Sequence, residues 1–239
     1  MSSELPIPID SALERQSADQ SAAADPALTE DLALALLQRP DLPSEALESL
    51  SKNPGAMRSR KVKMALVEHP HTPRHVSIPM VRHLFTFDLM QVALTPVVPA
   101  DIKRAADDAL IHRLETLTSG ERLSLARRGS ASIAGALLLD KESRVMTVAL
   151  ENSRLTEAAI IKALTRQDSP APFVEAVCRH EKWSVRREIR VALLRNARTP
   201  IARALEFARS LPAAQLREIL NGSRLPANIQ SYLRKQLEI

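Results

Sequence analysis

One register recurs seven times in this chain, and it restricts the chain to helices joined by short loops. The reference points are Pro43, Pro73, Pro99, Ser132, Thr156, Pro200 and Pro226. Six and seven residues before each stands an apolar pair: Leu36-Leu37, Leu66-Val67, Val92-Ala93, Leu125-Ala126, Ala149-Leu150, Leu193-Leu194 and Ile219-Leu220. Seven residues after each stands another apolar residue: Leu50, Met80, Ala106, Leu139, Ala163, Phe207 and Leu233. The apolar pair ends one helix, polar residues and the loop proline stop it, and a second helix starts at the reference point. Thr72-Pro73 and Thr199-Pro200 read as an N-cap followed by proline at the first helical position. The residue before the reference point (Leu42, Thr72, Val98, Ala131, Leu155, Thr199 and Leu225) is mostly placed to pack on the new helix as a hydrophobic staple does.

Composition agrees with helices. The 239 residues include only five glycines and 3% aromatics, with abundant Ala, Leu, Arg and Glu, whereas sheets favour β-branched and aromatic residues. Sixteen prolines fit an all-α chain when they lie between helices or in first turns. A single helix pair cannot bury its apolar side, so the copies must stack into one continuous core. The reference points are 30, 26, 33, 24, 44 and 26 residues apart. The interval of 44 predicts an extra helix near Pro172–His180.

The segment WSVRREIRVALLRNARTP, Trp183–Pro200, resembles the repeat of the leucine-rich-repeat-variant and HEAT-like families: an aromatic, then V-R-R, a helix ending in Ala-Leu, and N-x-x-T-P. The resemblance extends over roughly residues 31–239. It implies an α-solenoid of about seven helix-loop-helix repeats, a superhelix over residues 28–239. Some leucine-rich-repeat-variant proteins carry a cysteine cluster. This chain has one cysteine, Cys178, which cannot supply the four thiolates of an iron–sulfur cluster, and no cofactor is implied.

Charge is unevenly placed. Residues 1–30 hold six acids and one base, a net of −5, while the chain as a whole is +5. Residues 1–27, rich in Ser, Ala, Gln and Asp, lack apolar periodicity and read as a flexible acidic tail. A lone cysteine fits a reducing compartment, no apolar run reaches the ~20 residues of a membrane span, and the N-terminus lacks a signal-like pattern. The expected location is cytoplasmic, with no membrane partner.

Candidate chemistry is sparse. Glu68-His69-Pro70-His71 and nearby His75 suggest a metal site, but His69 and His71 fall where sister loops carry Asn196 and Arg198, or Asn152 and Arg154. They read as solvated loop histidines with no metal. Cys178 and His180 are two residues apart and point to different sides of a helix. There is no P-loop, G-x-G-x-x-G, G-x-S-x-G or H-E-x-x-H. Some HEAT-like solenoids are DNA glycosylases, and toward that activity the chain offers only Trp183 with Asp168 or Glu175.

Basic residues carry the remaining signal. Arg154, Arg198 and Arg224 stand two residues before their reference points; Arg60 matches Arg187, and Lys63 and Arg122 match Arg190. With repeats stacked at ~10 Å, matching positions form rows suited to phosphates or carboxylates. The alternative is a solvated face with local Glu partners. Two functions remain open: a non-catalytic scaffold holding a protein partner on its concave surface, and a nucleic-acid binder using the basic rows, with glycosylase activity as its enzymatic extension.

Overall fold

The computed structural model describes residues 9–236, with side chains from residue 14 onward, and every regular element among them is helical. The chain divides into two compact units, Met1–Arg113 and Leu114–Ile239. The first unit holds α1 (Ile9–Ala24), α2 (Glu30–Leu37), α3 (Ser44–Lys52), α4 (Arg60–Glu68), α5 (Arg74–Val81), α6 (Thr86–Leu94) and α7 (Ala100–Arg113). The second holds α8 (Ser119–Arg128), α9 (Ala131–Leu137), α10 (Ser143–Leu150), α11 (Glu157–Thr165), α12 (Ala171–Arg179), α13 (Arg187–Leu194), α14 (Ile201–Arg209), α15 (Ala213–Asn221) and α16 (Ala227–Gln236).

Most of these helices are two or three turns long, too short to hold in water alone. Within each unit a helix packs on the second helix along. In the first unit α1 meets α3, α2 meets α4, α4 meets α6 and α5 meets α7. In the second, α8, α10 and α12 follow one another, as do α9, α11, α13 and α15, while α14 meets α16. The repeat register marks the residues that make these contacts. Leu66, Val67, Leu125, Ala126, Leu193, Leu194, Ile219 and Leu220 are all buried, and Leu36 and Ala93 are half-buried.

Three expectations change. Residues 1–8 lie outside the described residues, but 9–24, expected as part of a flexible tail, form α1 against α3. Alanines weigh little in an apolar-periodicity reading, yet they are the best helix formers and allow close approach. Ala23 is buried, and Asp19 receives both Nη atoms of Arg39 at 2.7 and 2.9 Å. Second, Pro73 and Pro200 are themselves the N-caps. Thr72 and Thr199 instead turn back, each hydroxyl donating at 2.6 Å to the carbonyl six residues earlier, Leu66 and Leu193. Third, Ser130, not Ser132, caps α9. The loop after α8 is three or four residues shorter than in the sister copies, and Ala131 is half-buried while Leu42, Val98, Leu155 and Leu225 are buried. The extra helix occurs as α12.

The helix ends are tied together by side chains. Asn152, just past α10, donates from Nδ2 to the carbonyl of Ala126 in α8 at 2.8 Å, while its Oδ1 accepts the Arg154 N–H at 2.8 Å. Asn196, past α13, donates to the Leu164 carbonyl of α11 at 2.7 Å and accepts the Arg198 N–H at 2.9 Å. Asn53, ending α3, donates to Ala23 and Asp25 at the end of α1 at 3.1 and 2.8 Å. Ser223, past α15, donates to Leu194 of α13 at 2.6 Å. The last carbonyls of a helix have no partner within it. Here a carbonyl at the end of α1, α8, α11 and α13 is answered from the helix two places on, which satisfies it where stacking buries it and holds neighbouring layers in register.

The two leucines that end α10 and α13 check this packing. Leu150→Ala and Leu194→Ala are each expected to lower unfolding free energy by ~2–5 kcal/mol, since both sites are buried; denaturant melts of the two variants measure it, and a change within error at both would refute the register.

Candidate binding surfaces

His69 answers the question raised by the histidine cluster. It is 4% exposed, so the expectation of a solvated loop residue holds for the exposed His71 and fails for His69. The ring stands where Asn152 and Asn196 stand in the second unit. Its Nδ1 accepts the His71 N–H at 3.3 Å, and its Nε2 lies 3.0 Å from the Arg39 carbonyl at the end of α2. With Nδ1 accepting, Nε2 must carry the proton and donate, as an asparagine amide does. His75 points elsewhere, 3.8 Å from a Glu48 carboxylate oxygen. Among the described residues no group of three or more His, Cys, Asp or Glu is placed to hold a metal ion.

The candidates for catalysis disperse. Cys178 is buried, and that burial pushes its thiol up to about 12, which disarms it as a nucleophile. His180 is half-buried, burial holds it below the ordinary imidazole value, and its Nδ1 accepts the Lys182 N–H. Trp183 is not available to stack on a base. It is 3% exposed, its indole N–H donates to Leu150 at 2.9 Å, and the Lys182 ammonium lies 4.2 Å from the ring centroid. Its role is another tie between helix ends, from the loop after α12 to α10. Asp168 pairs with Arg166, and Glu175 with Arg179.

The basic candidates separate by what already holds them. Arg60 forks onto Asp88 at 2.8 and 2.6 Å, with its guanidinium 5.1 Å from the Phe85 ring centroid. Lys63 is half-buried. Arg122 is buried, with Nε 2.8 Å from Asp140, a contact to Glu142, and Nη1 donating to Leu117; it is a structural ion pair, not a surface cation. Arg190 donates to Ser184 and Ser210 and lies over Phe207. Arg187 is exposed beside Glu188 at 3.3 Å.

The row proposed through Arg154, Arg198 and Arg224 is broken. Arg154 lies in the loop entering α11, just before its N-cap Thr156, and reaches back to the Arg128 carbonyl. Arg224 donates at 2.7 Å to Thr165, the last residue of α11. Nine residues at 1.5 Å each put these ends about 13 Å apart. Arg198 belongs with Arg224, because Asn196 ties its loop to Leu164. The reason is α12, a single helix between copies of a two-helix repeat, which reverses the end at which the following loops emerge. Arg166 and Arg195, the residues that cap the ends of α11 and α13, join Arg198 and Arg224 there. Their signal was in the sequence, as the residue directly after each helix, but repeat matching across the long interval hid it.

The units also differ in charge. The first carries 12 basic and 15 acidic side chains, net −3, and the second 21 and 13, net +8. An arrangement of exposed guanidiniums on a packed helical frame can bind anionic groups and orient them.

Two measurements follow from the histidines. His69→Asn is expected to leave stability within about 1 kcal/mol, while His69→Ala, which strands the Arg39 carbonyl, costs about 1–3 kcal/mol; equal losses in chemical denaturation would refute the shared role. For His180, a neutral ring favoured by the fold means that the unfolded chain binds the extra proton first. Its stabilising contribution is therefore complete above pH ~6.5 and is lost as pH falls through the lowered folded value. An NMR titration midpoint for His180 at or above the ordinary imidazole value would contradict this.

No family model matches the chain, and no curated protein or solved structure matches it either.

Proposed function

We propose that the protein is a non-catalytic binding scaffold, an α-solenoid of helix-loop-helix repeats of the leucine-rich-repeat-variant or HEAT-like kind that holds a protein partner. The observation that carries this reading is the stacking of each helix on the second helix along, with helix ends tied across layers by Asn53, His69, Asn152, Asn196 and Ser223. Stacking of this kind adds surface and loops layer by layer, which is the form in which repeat proteins present a binding face. The catalytic candidates agree, since Cys178 is buried and Trp183 is spent on a helix-end tie.

A second reading, nucleic-acid binding, is favoured by the net charge of +8 on the second unit. The glycosylase form of that reading loses its aromatic with Trp183. Nuclease separates the two functions, because it destroys a nucleic-acid ligand and leaves a protein partner intact. Affinity capture from cell extract on immobilised full chain, with and without nuclease, is expected to retain one specific protein after nuclease treatment. That protein should bind the chain when both are purified. Retention abolished by nuclease, with labelled DNA or RNA bound at low salt and released by Arg187→Ala/Arg190→Ala, would replace the scaffold with the nucleic-acid reading.

A further inference from the structure

The C-terminal ends of α11, α13 and α15 lie together, and four arginines leave from them with one carboxylate among them. Residues 164–169, 194–199 and 221–226 contain Arg166, Arg195, Arg198 and Arg224, and a single acid, Asp168. Their backbones are held to one another: Asn196 Nδ2 donates to Leu164, the Arg224 N–H donates to Arg195 at 3.1 Å, and Arg224 Nη2 donates to Thr165. The donors are therefore presented by loops whose positions are already fixed, so less ordering entropy is lost when a ligand engages them.

We propose that this end of the second unit binds the carboxylates of an acidic segment of a protein partner. The proposal rests on the scaffold reading above and names the chemistry of its partner. Asp168 shows how such a group sits. Arg166 holds it through Nε and Nη2 at 2.9 and 2.8 Å, the paired geometry in which guanidinium and carboxylate fit best. Arg166 and Arg198 both hold the Asp168 carboxyl below the usual range, the first by hydrogen bonding and the second through space. The pair is open to solvent, with side chains 55% and 70% exposed, so a partner's carboxylate can take the place of Asp168. Arg195 and Arg198 are exposed, and neither forms a salt bridge with an acid among the described residues.

Helix dipoles do not account for the cluster. Three helix C-termini carry about half a negative charge each, and with Asp168 they come to roughly −2.5 against four guanidiniums. A positive surplus of about 1.5 remains for a ligand. A run of phosphates is a poorer match, because it needs donors along a line. Arg154, which the repeat register would place in the same row, emerges about 13 Å away at the other end of α11. A short acidic peptide needs only the cluster.

The test titrates full-length protein into a fluorescently labelled oligoglutamate peptide at low salt, with a neutral labelled peptide and a labelled single-stranded oligonucleotide of equal charge as the other probes. Oligoglutamate is expected to bind, and Arg195→Glu/Arg198→Glu to weaken it by about tenfold or more. Asp168→Asn should tighten it about two- to threefold by removing the internal competitor. The controls, Arg127→Glu/Arg128→Glu at the end of α8 and Glu181→Gln past α12, should change it by less than about twofold. Should the Glu pair lower the melting temperature, Arg195→Gln/Arg198→Gln takes its place with the same sign expected. Absent oligoglutamate binding, or equal loss in both arginine pairs, overturns the site. An oligonucleotide bound more tightly than oligoglutamate, and released by the same variant, overturns it in favour of phosphate. A captured protein partner that survives nuclease and is indifferent to all these variants overturns the site while leaving the scaffold standing.

Discussion

The structure depends on one kind of hydrogen bond, the donation from a side chain just past one helix to a carbonyl at the end of the helix two places earlier. Helices this short leave a large share of their carbonyls without internal partners. Stacking buries those ends, and a buried unpaired carbonyl costs about as much as a lost hydrogen bond. Asn53, His69, Asn152, Trp183, Asn196 and Ser223 each resolve one such end. The chemistry asked for is a donor at one distance and, in the loop, an acceptor for the N–H two residues on. Asparagine and the Nε2–H tautomer of histidine both meet it, and so the apparent metal motif is a variant of the asparagine loop.

The helical class and the apolar register were legible because burial repeats at fixed offsets from a loop proline, and packing enforces those offsets at Leu66, Leu125, Leu193 and Ile219 alike. Less was legible where a residue's role is set by what lies across a layer. Thr72 looks like an N-cap, yet its hydroxyl finds the Leu66 carbonyl because proline at the cap moves the helix start by one. Arg122 looks like a surface cation in the repeat alignment, yet Asp140 and Glu142 from the loop before α10 enclose it. Alanine-rich α1 carried too little apolar signal to be distinguished from a tail.

The candidate surface was legible in kind and not in place. Arginine after a helix end is visible in the sequence, but the end at which it emerges depends on how many helices precede it. One unpaired helix, α12, divides Arg154 from Arg198 and Arg224. Counting helices rather than repeats recovers the grouping.

The reach of the ties has a consequence for how the chain acquires its structure. Those from Asn53, His69, Asn152, Trp183, Asn196 and Ser223 join residues about one repeat apart, from 26 to 33 positions along the chain in their main bonds. These ties need no contact with a distant part of the sequence, so closing each loop costs little more entropy than closing the one before. Folding within a unit can start at any well-formed pair and spread layer by layer, and an unfolding fluctuation can stop after one layer instead of consuming the unit.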